Sequence, residues 1–191
     1  GVNMWTEEHR DWSTVDYSKL KSGDAFPSTF MWGVATASHQ IEGNNTNNWT
    51  AFEPGSKSGQ LSGMACDHYN RVDGDIELIA DLNVSHYRFS IEWSRVEPEH
   101  GVWNDEAIQW YSDLVDKLLS KGIQPMATLH HFTHPQWWDE KGGFEAEENI
   151  QDWIDFCKKM FEVLSDRVLW WCTINEPAVF TTMGYVLGEF P

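Results

Sequence analysis

The chain has 191 residues, 41% of them apolar, enough for one domain with a substantial core and too many for a disordered segment. Acidic residues outnumber basic ones 30 to 13, and the formal net charge of -17 opposes nucleic acids and anionic membrane surfaces as partners. No run of 18 or more apolar residues occurs, so no membrane span is expected.

Residues 1–25 are polar and without periodicity, and they read as an N-terminal arm. A first apolar run, Phe30 to Ser38, has the length of a buried strand. Residues 43–66 are rich in Gly, Asn and Ser and read as a long loop of the kind that usually carries function. Asp67 to Leu82 has helical spacing at Val72, Ile76, Ile79 and Ala80, and His86 to Ile91 is a second strand. Asp105 to Leu119 is a helix with Ile108, Tyr111, Leu114, Val115 and Leu118 on one face, stopped at Lys121-Gly122. Ile123 to His131 is a third strand. Glu147 to Leu164 is a helix carrying Ile150, Trp153, Ile154, Cys157, Met160 and Phe161, Val168 to Ile174 is a fourth strand, and Ala178 to Leu187 begins a further helix.

Strands alternating with helices, each strand buried on both faces, predict an α/β fold with a parallel sheet and helices outside it. Four such units over residues 26–191 make about the N-terminal half of a (β/α)8 TIM barrel, whose usual size is about 250 residues.

In such folds ligands meet the C-terminal ends of the strands. The four ends here are Ser38-His39-Gln40-Ile41-Glu42-Gly43, Glu92-Trp93-Ser94-Arg95, His130 to Pro135, and Asn175-Glu176-Pro177. All four are expected to point amides, imidazoles or acids at one rim. Arg88 inside an apolar strand calls for a carboxylate partner, either Glu176 or an acid outside this chain. His130 and His131 are strand neighbours and face opposite ways. Hydrogen bonding therefore suits them better than a metal, and neither a metal nor a cofactor is expected.

Twelve Trp residues exceed ordinary usage. Most belong in the core, and as a set they lean towards a carbohydrate or aromatic ligand. The three cysteines, Cys66, Cys157 and Cys172, lack metal-site spacing and read as buried thiols of a cytoplasmic protein. Against this stand the triplets at Asn44, Asn48 and Asn83, which fit the glycosylation pattern of secreted chains.

Taken in order, Phe30 to Gly43, Tyr87 to Arg95, Thr128 to Phe132 and Thr173 to Pro177 resemble the family 1 glycoside hydrolases, of the β-glucosidase and β-galactosidase type. The resemblance implies that Glu176 is the general acid/base and that Asn175 hydrogen-bonds the sugar 2-OH. It implies that Gln40 and His131 bind glycone hydroxyls and that Arg88 orients the catalytic nucleophile. Phe132 stands where the family more often has Trp. The family's nucleophile, a Glu in a Glu-Asn-Gly context, has no match here, so the chain looks like the N-terminal half of such an enzyme. The implied partners are a β-glycoside or small sugar and a C-terminal half-barrel. The alternative is a non-catalytic sugar-binding or interaction half-barrel that self-associates.

Overall fold

The computed structural model describes Phe26 and residues 29–191. The arm expected over residues 1–25 lies outside the described residues. Gly1–Met31 and Trp32–Pro191 are two units. In the first, the rings of Phe26 and Phe30 meet at 4.5 Å.

The second unit alternates as the apolar pattern requires. Strand β1 (Gly33–Ala35) is followed by α1 (Ser38–Ile41), α2 (Asn48–Phe52) and α3 (His68–Asp81). Strand β2 (His86–Ser90) leads through α4 (Trp93–Val96) and α5 (Asp105–Ser120) to β3 (Gln124–His130). The chain continues through α6 (Gln136–Asp139) and α7 (Ile150–Leu164) to β4 (Trp170–Ile174), then α8 (Pro177–Phe180), which runs on as a π-helix over Thr181–Val186.

The strands pair in parallel in sequence order, with Ala35 opposite Arg88, Arg88 opposite Met126 and Thr128 opposite Cys172. Right-handed crossovers that all step in one direction put α3, α5 and α7 on one face of the sheet. The core forms there, from Val72 and Ile76 of α3, Leu114 and Leu118 of α5, Phe156 and Met160 of α7, and Tyr87, Phe89 and Ala127 of the sheet. Each of the Val, Ile, Leu, Phe and Met side chains contributes about 1.5–3 kcal/mol by leaving water. Helix α5 buries all five residues of its expected face, and Asn104 caps it by accepting from Ala107 N at 3.1 Å.

Three expectations need correction. The strands are buried on both faces only towards the C-terminal ends of β2 (Phe89, Ser90) and β3 (Ala127–His130). Elsewhere Tyr87 is buried towards the helices, whereas Arg88 is half-buried and Gly33, Ala35, Trp170 and Thr173 are exposed, because no described element covers them there or along the outer edges of β1 and β4. The first strand is three residues rather than nine: past Thr36 the chain turns into α1, and the Ser38 backbone amide donates to the Ser90 side-chain Oγ at 2.7 Å instead of to a β2 carbonyl. On α7 the buried stripe is Phe156, Met160 and Leu164. Ile150, Ile154 and Phe161 are exposed, although the Phe161 ring still meets Trp171 of β4 at 5.4 Å.

Candidate active site

The chemistry collects where the strands end, and a buried carboxylate holds those ends together. Glu92, fully buried after β2, accepts from Ser38 Oγ at 3.0 Å, Ser94 Oγ at 2.8 Å and Thr133 Oγ1 at 3.0 Å. Three chain segments, following β1, β2 and β3, are thereby tied to one side chain. Beside it Arg95 donates through Nε to Glu42 Oε2 at 3.1 Å and through Nη2 to Gly43 O and Asn45 Oδ1, with its guanidinium 4.0 Å from the Tyr69 ring. Tyr111 completes this cluster, donating to Glu42 Oε1 at 2.6 Å and accepting from Glu92 N. Burial pushes the Glu42 carboxyl up to about 7, outweighing the attraction of Arg95. The segments Glu42-Gly43 and Glu92-Trp93-Ser94-Arg95 thus serve as the frame, and Trp93 is wholly within the core.

On the concave face Arg88 stitches three strands. Its Nε donates to Thr128 Oγ1 at 2.8 Å, and its Nη2 donates to Asn175 Oδ1 at 2.6 Å and to Cys172 Sγ at 3.5 Å. The expected pairing with Glu176 is not made. Among the described residues the half-buried guanidinium is served by neutral acceptors only, which leaves the other expected partner, an acid outside this chain, open. Asn175 is buried, and its amide donates to His130 O at 2.8 Å, which fixes the tip of β4 against β3.

Glu176 follows in the left-handed region, with φ of +43°. Its carbonyl accepts from Phe180 N and so starts α8, while Pro177 occupies the first turn, where a missing N–H is harmless. The Glu176 carboxyl is exposed and makes no hydrogen bond or ion pair among the described residues.

Gln40 and His131 line a single cavity of about 890 Å³. Burial, with the nearby positive charge of Arg88, pulls the His131 imidazole down to about 4, so it is neutral at ordinary pH. Its buried Nδ1 has no partner among the described residues. His130 goes the other way, packing edge-on against Phe144, Trp153 and Phe180, with Nε2 3.2 Å from His134 Nδ1. Among the described residues no group of three or more His, Cys, Asp or Glu side chains is placed to hold a metal ion. The rim is therefore divided: Gln40 and His131 face the cavity, Arg88 and Asn175 meet on the adjoining concave face, Glu176 is exposed at the tip of β4, and Glu42, Glu92 and Arg95 form the buried frame.

Several cavity residues escaped the sequence reading. Trp49, Phe52, Glu53 and Phe190 line its wall, and His39 Nε2 lies 2.8 Å from Glu53 Oε1. Trp49 and Phe52 come from α2, inside the stretch read as loop. The signal was Asn47-x-x-Thr50, which closes a capping box with reciprocal bonds between Thr50 N and Asn47 Oδ1 and between Asn47 N and Thr50 Oγ1. Cys66, expected to be buried, is exposed on this loop, where no helix or strand covers it.

The family model for glycosyl hydrolase family 1 matches residues 22–191. The chain belongs to this family. Among curated relatives, β-glucosidase A of Thermotoga maritima is 43% identical over 174 residues, covering 85% of this chain and 39% of the relative. Oleuropein β-glucosidase of Olea europaea is 40% identical over 188 residues, 91% and 34% of the two chains. Among solved structures, a β-glycosidase from Pyrococcus horikoshii superimposes with a TM-score of 0.82 at 46% identity, covering 87% of this chain and 39% of that one. The T. maritima β-glucosidase in complex with castanospermine gives 0.82 at 40% identity, covering 86% and 40%. The chain thus spans about two-fifths of the length of the relatives it matches, and its sheet is a partial family 1 barrel. No helix among the described residues is long and apolar enough to cross a membrane.

Proposed function

We propose that this chain is the acid/base-bearing part of a retaining β-glycosidase acting on terminal β-linked, glucoside-like sugars. Gln40 and the neutral imidazole of His131 hydrogen-bond glycone hydroxyls, and Asn175 bonds the 2-OH, a contact that strengthens towards the transition state. Glu176 donates its proton to the glycosidic oxygen as that oxygen leaves C1. As a carboxylate it then takes a proton from the water that releases the sugar. Arg88 orients a nucleophilic carboxylate that this chain does not supply, which bonds to C1 from the opposite face at about 5–5.5 Å from Glu176. Without that group the covalent step is missing, so the chain alone does not turn over.

The observation that carries the reading is the 2.6 Å contact between Arg88 and Asn175, beside the unpartnered carboxyl of Glu176 at the tip of β4. The relatives named above are β-glucosidases or a β-glycosidase. Three cysteines without a disulfide suit a cytoplasmic site. Of the glycosylation triplets only that at Asn48 is closed by burial, while Asn44 and Asn83 are exposed, so the triplets themselves do not decide the compartment.

Mixing the chain with a C-terminal half-barrel of a relative should hydrolyse aryl β-glucosides to glucose and the free phenol. Glu176→Gln in that mixture should remove most turnover of substrates with poor leaving groups, while equal rates would refute the assignment. The second reading, a self-associating sugar-binding half-barrel, draws on the exposed Leu169, Trp170, Val186 and Leu187. It gains if the chain alone is a dimer that binds deoxynojirimycin and the mixture stays inert.

A further inference from the structure

The chain leaves β3 through a residue in a backbone conformation that side chains resist. Phe132 has φ of +71°, in the left-handed region, between His131 on the cavity and Thr133 tied to Glu92. Two donors from α2 converge on its carbonyl, Asn48 Nδ2 at 3.2 Å and Trp49 Nε1 at 3.0 Å. Asn48 also accepts through Oδ1 from His134 N at 3.0 Å, and its own amide donates to His134 O at 3.1 Å. It is 1% exposed, and both ends of its side-chain amide are used on the backbone around Thr133.

We propose that Asn48 is a positioning residue, which brackets Phe132 to His134, keeps Phe132 left-handed and thereby aims the His131 ring into the cavity it shares with Gln40. The backbone is pinned before this segment by pairing of His130 with β4 and after it by Glu92 and Asn48. If Phe132 relaxed to negative φ, a rotation of more than about 100° would have to be absorbed between those anchors, and His131 is the residue that lies there. Only an amide serves at position 48, since Asp lacks the donor for Phe132 O and Leu lacks both groups. The purpose assigned to His131 rests on the sugar-binding reading; the bracket itself does not.

The test follows the pH titration of the His131 imidazole by NMR in the intact chain without ligand. The charged group bearing on it is Arg88, and His131 in turn bears on the neighbouring His130. In Asn48→Ala the midpoint should rise by about one pH unit, a tenfold change in dissociation constant, as the ring swings towards solvent. Asn48→Asp should shift it in the same direction. In a Phe132→Gly background, where left-handed backbone is free of steric cost, Asn48→Ala should add little further shift. A folded Asn48→Ala chain with an unmoved midpoint overturns the proposal, as does a full shift in the Phe132→Gly background. Should Asn48→Ala not fold, Trp49→Phe decides: it removes one donor to Phe132 O, and an unmoved midpoint there counts equally against the bracket. Deoxynojirimycin binding to the parent mixed with the C-terminal half-barrel separates the two ideas, because absent binding there with a displaced His131 in Asn48→Ala sinks the sugar reading and leaves the bracket standing.

Discussion

Arg88 and Asn175 meet across the concave face of the sheet, Nη2 to Oδ1 at 2.6 Å, although 87 positions separate them in the chain. This bond joins the middle of β2 to the tip of β4. It determines where the backbone entering Glu176 lies, since the Asn175 amide is at the same time bound to His130 O. The carboxyl at position 176 is thus held at its root by a cation two strands away.

Asn175→Ala removes the acceptor and leaves a charged donor on a half-open face. A hydrogen bond to a charged group contributes about 1.5–3 kcal/mol. Urea unfolding of the chain should show a loss of about 2 kcal/mol. Arg88→Lys should lose a similar amount, since an ammonium cannot reach Thr128 and Asn175 together in the guanidinium's planar arrangement. Parent-like midpoints in both variants would mean the contact is not maintained in solution.

Glu42 couples stability to pH. Its folded value of about 7 lies above the ordinary 4.5, so the folded state holds a proton that the unfolded chain has released. Its contribution is fully present below about pH 4.5 and is lost as pH rises to 7, on the order of 3 kcal/mol in all. In Glu42→Gln this falling limb should vanish. Stability measured from pH 4.5 to 7 must then decline less steeply than in the parent.

The histidines at the end of β3 act with the opposite sign. His131 titrates near 4 and His130 is held well below its usual range, both chiefly by burial, so the unfolded chain binds protons that the folded chain does not. Their contribution is present above the ordinary 6.5 and is lost as pH falls through the folded values. His131→Asn should flatten the acid limb below pH 6.5. Thermal melts of parent and variant across that interval give the comparison, and identical slopes would exclude His131 as a source.

Gly43 has φ of +85°, and a Cβ there would come within 2.2 Å of Met64 O. The same residue's carbonyl accepts from Arg95 at 2.8 Å. Gly43→Ala therefore combines left-handed strain with a backbone clash, and about 1–3 kcal/mol should be lost. Hydrogen exchange should show faster opening of residues 43–66, with the core strands unaffected. Uniform acceleration over the whole sheet would point to global unfolding instead.

A core test concerns Trp93, which has no exposed surface, stacks on Phe156 at 5.0 Å and donates to Glu97 Oε2 at 2.8 Å. Trp93→Ala should cost about 3–5 kcal/mol through the cavity it leaves. Trp93→Phe keeps most of the packing and forfeits the bond to Glu97, so its loss should be the smaller. Denaturant melts that rank the two variants in reverse would assign the energy to the hydrogen bond.

Periodicity alone was enough to place α3, α5, α7 and β2 to β4 to within a few residues. Whether a stretch forms a helix or a strand depends on spacing among near neighbours, a local property, whereas which flank of α7 is covered depends on what packs against it. The four strand-end motifs likewise located the rim and carried the family resemblance, because a strand's C-terminal end can be read where an apolar run meets polar residues. Tertiary structure alone decided what each rim residue touches. Glu92 and Arg95 became frame, Arg88 took an amide rather than a carboxylate, and His130 and His131 parted into core and cavity. Asn48, passed over as loop, reaches the segment after β3 across 86 positions. Such roles are set by which distant donor arrives at a given acceptor, and that is known only once the strands have been laid side by side.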